Sequence, residues 1–154
     1  MFGLGGQKAQ TGPRLDIYAQ TVEQMLLNLG IDPGQARMNT QEGYGWSFRR
    51  GSAIIEVYIT QNAGVGYLQV LAPIVHLRAQ SLLPLYRHLL EMNLQLTNAA
   101  FGVYLDVIYV FSERPLDGLD AVEANQIINT VAQYADDLDD KLLEEFGGRL
   151  YTRI

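Results

Sequence analysis

Ser81-Leu-Leu-Pro-Leu-Tyr-Arg-His-Leu-Leu-Glu-Met-Asn-Leu94 decides how the rest of the chain must be arranged. Read as a helix at about 100° per residue, its Leu82, Leu83, Leu85, Tyr86, Leu89, Leu90, Met92 and Leu94 cover an arc of roughly 200°. A surface helix needs an apolar stripe only about 100° wide. The pattern therefore predicts a helix that packs on two sides, one against its own sheet and one against a second layer or a second copy of the chain. Arg87, His88 and Glu91 take the polar arc, and Asn93 falls inside the apolar one. A buried amide must find hydrogen-bond partners or cost about 1–3 kcal/mol. Asn93 is thus expected either to fasten the helix end to backbone groups of the following turn or to fix a register across a subunit boundary.

Upstream, Leu15, Tyr18, Ala19, Val22, Met25, Leu26 and Leu29 recur at helical spacing. They predict a first helix from Pro13 to Leu29, ended by Gly30, with a turn at Asp32-Pro33-Gly34. Trp46-Ser-Phe-Arg alternates, Ala53–Thr60 is rich in β-branched residues, and Gly66–Ala72 forms a third apolar run. Turns at Gly51-Ser52 and at Asn62-Ala-Gly64 join them into an antiparallel meander. Ile55, Val57 and Ile59 share one face, and Ile54, Glu56, Tyr58 and Thr60 the other, wetter one. Pro73 is expected at a strand end or edge.

Downstream, Phe101–Leu105 and Val107–Phe111 read as a hairpin closed around Asp106. Asp120 is the N-cap of a last helix whose stripe is Ala124, Ile127, Val131, Tyr134, Ala135, Leu138, Leu142 and Phe146. Segregated strands and helices in the order α-β-β-β-α-β-β-α argue an α+β fold with a twisted antiparallel sheet of about five strands. The expected organisation is a flexible leader at 1–12, a single domain at 13–148 and a tail at 149–154.

The bulk composition narrows the function. Eleven Lys plus Arg against 17 Asp plus Glu give a net charge of −6, with no basic block, so a phosphate-tracking or anionic-membrane surface is not expected. The absence of Cys removes disulfides, thiolate nucleophiles and Cys-ligated zinc. No apolar run approaches a membrane span and no secretory signal is present, so a cytoplasmic location is the default. His76 and His88 have no partner at ligand spacing, although His88 could pair with Glu91 one turn on. Asp136, Asp137, Asp139 and Asp140 sit within a helical period rather than around a Gly-centred loop, which makes them a solvated face and not a calcium site. No nucleophile–base pair, phosphate loop or nucleophile elbow occurs, so neither an enzyme nor a cofactor is expected.

Leu82-Leu-Pro-Leu-Tyr-Arg-His-Leu-Leu-Glu-Met-Asn-Leu94, the hairpin Gly102–Glu113, Arg114-Pro-Leu-Asp-Gly-Leu119 and the final helix with Ala135-Asp-Asp-Leu138 follow one another in a set order. This succession resembles the YbjN family, whose members share the fold of type III secretion chaperones of the CesT kind. The resemblance implies a small acidic homodimer without a cofactor. It implies that the Ser81–Leu94 helix and the Phe101–Leu105 strand build the dimer while a client segment wraps apolar patches outside it. On that basis the candidate dimer residues are Leu82, Leu85, Tyr86, Leu89, Asn93, Val103 and Leu105. The candidate client-binding residues are Trp46, Phe48, Tyr58, Tyr104 and Tyr109. The competing reading is a small-molecule-sensing module with a pocket between sheet and helices, its mouth lined by Tyr44, Trp46 and Phe48 near Gly43 and Gly45.

Overall fold

The computed structural model describes residues 14–78 and 80–152. The expected leader at 1–12 and the helix start at Pro13 lie outside them. The first helix, α1, runs Leu15–Asn28 and buries Ala19, Val22, Met25 and Leu26. The turn expected at Asp32-Pro33-Gly34 is a one-turn helix, α2 (Pro33–Ala36), because the Asp32 carboxylate accepts the amides of Gly34 and Gln35 and Pro33 supplies the first helical φ.

The meander follows as β1 (Tyr44–Arg50), β2 (Ala53–Asn62) and β3 (Val65–His76). The two-sided helix expected at 81–94 is α3 (Leu82–Asn93), and β4 (Ala100–Tyr104) and β5 (Val107–Pro115) form the second hairpin. The last helix, α4, spans Ala121–Phe146, with the Asp120 carboxylate accepting the Glu123 amide as its N-cap. The residues expected to be a tail include a two-residue strand, β6 (Arg149–Leu150), which pairs with Val75 and His76.

The sheet is antiparallel in the order β1-β2-β3-β5-β4, with β6 beside β3, so the architecture is α+β. Hairpin β4–β5 returns so that its second strand, not its first, lies against β3. Register follows the apolar alternation: Val57 faces Val70 and Ile59 faces Leu68, while Ala72 faces Val110. One face of the sheet is thereby a continuous apolar floor. Helices α1 and α4 pack on that face, and Val22, Ile128 and Val131 are fully buried.

Pro73 departs from the sequence expectation. It lies inside β3, opposite Tyr109, where the register slips between Pro73 and Val75. The β2–β3 ladder ends at Glu56–Leu71 and the β6–β3 ladder begins at Val75, so the missing N–H falls at a gap in the pairing. Among the described residues no helix is long and apolar enough to cross a membrane.

Truncating the seam should be costly. Ile128 is fully buried in the core, so Ile128→Ala is expected to lower the unfolding free energy by about 2–5 kcal/mol, read as a lower urea midpoint at unchanged slope.

Candidate functional site

Helix α3 is apolar on two sides, and the described residues cover only one of them. Leu85 and Leu89 are 5% and 4% exposed and belong to the core, joined by partly buried Met92. Leu83, Leu90 and Leu94 are 80%, 68% and 91% exposed, and Tyr86 stands at the margin. The roughly 200° arc is thus divided between an inner and an outer leucine row.

Asn93 is committed within the chain. Its Oδ1 accepts the Phe101 amide at 2.7 Å and its Nδ2 donates to the Phe101 carbonyl at 3.4 Å. This is the backbone-fastening alternative, and it corrects the assignment of Asn93 to a subunit boundary. The amide ties the C-terminal turn of α3 to the start of β4. Leu85 and Leu89 likewise leave the candidate dimer surface, because the single chain already buries them. Leu82 is partly buried. The exposed outer residues Leu83, Leu90 and Leu94 become the candidates instead; helical phase sets them apart from Leu85 and Leu89, but does not by itself say which group faces the sheet.

Strand β4 and its turn add Val103, Tyr104 and Leu105, exposed to 43%, 67% and 78%. Leu105 and Asp106 both have positive φ, 45° and 60°, as a two-residue hairpin turn demands. That region suits Gly, Asn or Asp; a leucine there is strained. The Asp106 carbonyl accepts the Leu77 amide at 2.8 Å, which pins the turn.

The second candidate set divides sharply. Trp46 is fully buried and Phe48 is 8% exposed, so both are core residues rather than surfaces a client reaches. Arg37 lies over the Tyr44 and Trp46 rings at 4.5 and 5.0 Å and closes that end. The glycines that suggested a mouth serve close packing instead. Gly43 has φ of 68°, and a Cβ there would run into the Ile59 carbonyl. Tyr58, Tyr104 and Tyr109 do come together, on the face of the sheet opposite α1 and α4. They line an open depression of about 320 Å³ with Glu56, Leu71, Gly102, Val103 and Phe111.

In that depression the Tyr58 hydroxyl donates to the Glu56 carboxylate at 3.0 Å. Partial burial and the neighbouring Glu56 charge push the Tyr58 hydroxyl well above its ordinary value, and Tyr109 shifts the same way for the same reasons. The acidic group on α4 is held by local contacts. Asp136 accepts the Ser52 hydroxyl, and Asp139 is pushed upward by burial and by its acidic neighbours. His88 does not pair with Glu91, which takes Arg87 at 2.8 Å; its ring lies 5.2 Å from that of Phe146.

With this geometry in view, the comparisons are informative. Residues 17–153 match the model of the T3SS (YopN, CesT) and YbjN peptide-binding chaperone 1 family, TY-Chap1. The chain belongs to this family. No curated protein sequence matches it significantly. Its fold is similar to that in the ExsC–ExsE complex, at TM-score 0.62 and 12% identity over 82% of this chain and 94% of that one. It is also similar to that in the HopA1–SchA chaperone–effector complex, at 0.60 and 8% over 82% and 95%. YbjN from E. coli aligns at 0.52 and 15% over 84% and 93%. The family is one of chaperone-type binding proteins, as the sequence resemblance implied.

Two outcomes test this geometry. Asn93→Ala leaves the Phe101 amide without its partner and is expected to cost about 1–3 kcal/mol, seen as a lower melting temperature and faster amide exchange in β4. Because the folded state raises the Tyr58 pKa above its ordinary 10.0, that contribution is complete below pH 10 and is lost as pH climbs beyond it. Tyr58→Phe is expected to flatten the fall in stability above pH 10 in alkaline melts.

Proposed function

We propose that the chain is a non-enzymatic, homodimeric peptide-binding chaperone that holds an extended segment of a client protein. One observation carries the dimer: Leu83, Leu90 and Leu94 form an outer apolar row that the described residues leave exposed. A twofold mate offers the same row in return, and self-complementary apolar patches are the usual basis of such pairs. Val103 and Leu105 add exposed apolar surface at the β4 hairpin, Leu105 from a strained positive-φ position.

The client surface in this proposal is the uncovered face of the sheet with Tyr58, Tyr104, Tyr109 and Phe111. Large aromatic rings on a rigid sheet are suited to anchoring an extended chain. The family description supports segment binding, and the HopA1–SchA neighbour is a chaperone–effector complex. Together they favour this reading over a metabolite sensor, whose expected aromatic mouth is buried.

Sedimentation velocity at micromolar concentration separates the two leucine rows. Wild type is expected to run as a dimer. Leu90→Asp, at a position 68% exposed in the single chain, is expected to give a folded monomer, whereas Leu89→Asp, at 4%, unfolds the chain. A wild-type monomer overturns the dimer. Client binding is read separately on arrays of unrelated peptides, and a chain that retains none of them overturns the chaperone reading.

A further inference from the structure

The depression on the open sheet face has a chemistry more specific than an apolar groove. Strand register builds it. Glu56 stands opposite Leu71 and Leu71 opposite Phe111, in one cross-strand row. Gly102 stands opposite Tyr109 in the adjacent row. Gly102 adds no side chain, and a Cβ there would press on the Phe111 ring at 3.3 Å. The missing side chain leaves a slot floored by the sheet and walled by Tyr58, Tyr104, Tyr109 and Phe111.

Among the described residues the lining holds one carboxylate, Glu56, and no Lys, Arg or His. Glu56 is oriented by the hydroxyl of Tyr58. A carboxylate among aromatic rings is a site for a cation: the rings present negative faces and the acid supplies the counter-charge. A planar guanidinium suits it better than an ammonium, since it stacks on a ring and forks onto a carboxylate at once. The chain already makes half of this arrangement for itself, where Arg37 lies 4.5 Å over the Tyr44 ring. The net charge of −6 adds a favourable long-range field.

We propose that this pocket takes an arginine side chain of the client, with the guanidinium against the tyrosine rings and facing the Glu56 carboxylate. It deepens the segment-binding reading by giving the client a required residue: an arginine among apolar neighbours. It rests on that reading only for the molecule that carries the arginine.

The test needs no client. N-acetyl-arginine amide and its uncharged isostere N-acetyl-citrulline amide are titrated at millimolar concentration into the full chain, with backbone amide signals followed by NMR. The expected result is saturable shifts at Tyr58, Gly102 and Tyr109 with the arginine probe, at least about tenfold weaker with citrulline. Glu56→Gln is expected to abolish that difference with the remaining spectrum unchanged. Tyr104→Ala, at a position 67% exposed, is expected to weaken arginine binding without unfolding the chain. Equal shifts with both probes, no shifts at these three residues, or a preference that survives Glu56→Gln overturns the proposal. Peptide-array binding that persists in that case leaves the chaperone reading standing, so the two failures are told apart.

Discussion

Everything in this molecule depends on burial of one face of the sheet beneath α1 and α4. Ala124, Ile128, Val131, Ala132, Ala135, Leu138 and Leu142 run along α4 at helical spacing, and all are buried. They meet Ile55, Val57, Ile59, Leu68, Val70, Ala72, Ile108 and Val110, delivered to the same side by the two-residue period of the strands. Apolar burial at about 25 cal/mol per Å² makes this seam the largest favourable contribution to folding. With α1 and α4 on one side, no helix of the described residues forms a layer on the opposite face of the sheet.

That asymmetry explains why the functional surfaces lie where they do. Helix α3 is joined to the sheet at its edge, through Leu85, Leu89 and the two hydrogen bonds from Asn93 to Phe101. It has only half its circumference to give to the core. The remaining half, with Leu83, Leu90 and Leu94, is exposed, as are Val103 on the edge strand and Leu105 in its turn. The opposite face of the sheet presents tyrosine rings whose hydroxyls are only partly buried, Tyr58 donating to Glu56, a surface suited to transient contact.

The element order and the sheet were legible because hydrophobic periods of 3.6 and 2 are long and regular in this chain. Residues such as Asp120, whose carboxylate caps α4, announced themselves by type and place. The two-sidedness of α3 was legible as well, from the width of its apolar arc. Which leucines faced inward was not, since phase relative to a sheet is set by packing that one helix does not encode. Leu85 and Leu89 were therefore placed on the wrong side. Trp46 and Phe48 were misjudged for a related reason: an aromatic residue near glycines fits a mouth or a tightly packed strand equally well, and only the neighbours decide. The Tyr58–Glu56–Tyr109 grouping depended on β5, not β4, lying next to β3, and that strand order has no local signature. Pro73 was read as an edge because the ladder gap that tolerates it is created by β6, far along the chain.

The turn at Leu105–Asp106 has a wider consequence. Glycine or asparagine there would relax the backbone and make the isolated subunit more robust. Leucine gives up that robustness while placing a large oily group at an outermost point. Optimising this protein for heat resistance by standard loop substitutions would therefore remove an exposed apolar group from the surface that the proposed dimer uses. A laboratory variant hardened at this position would be a poorer guide to the working molecule than the softer natural one.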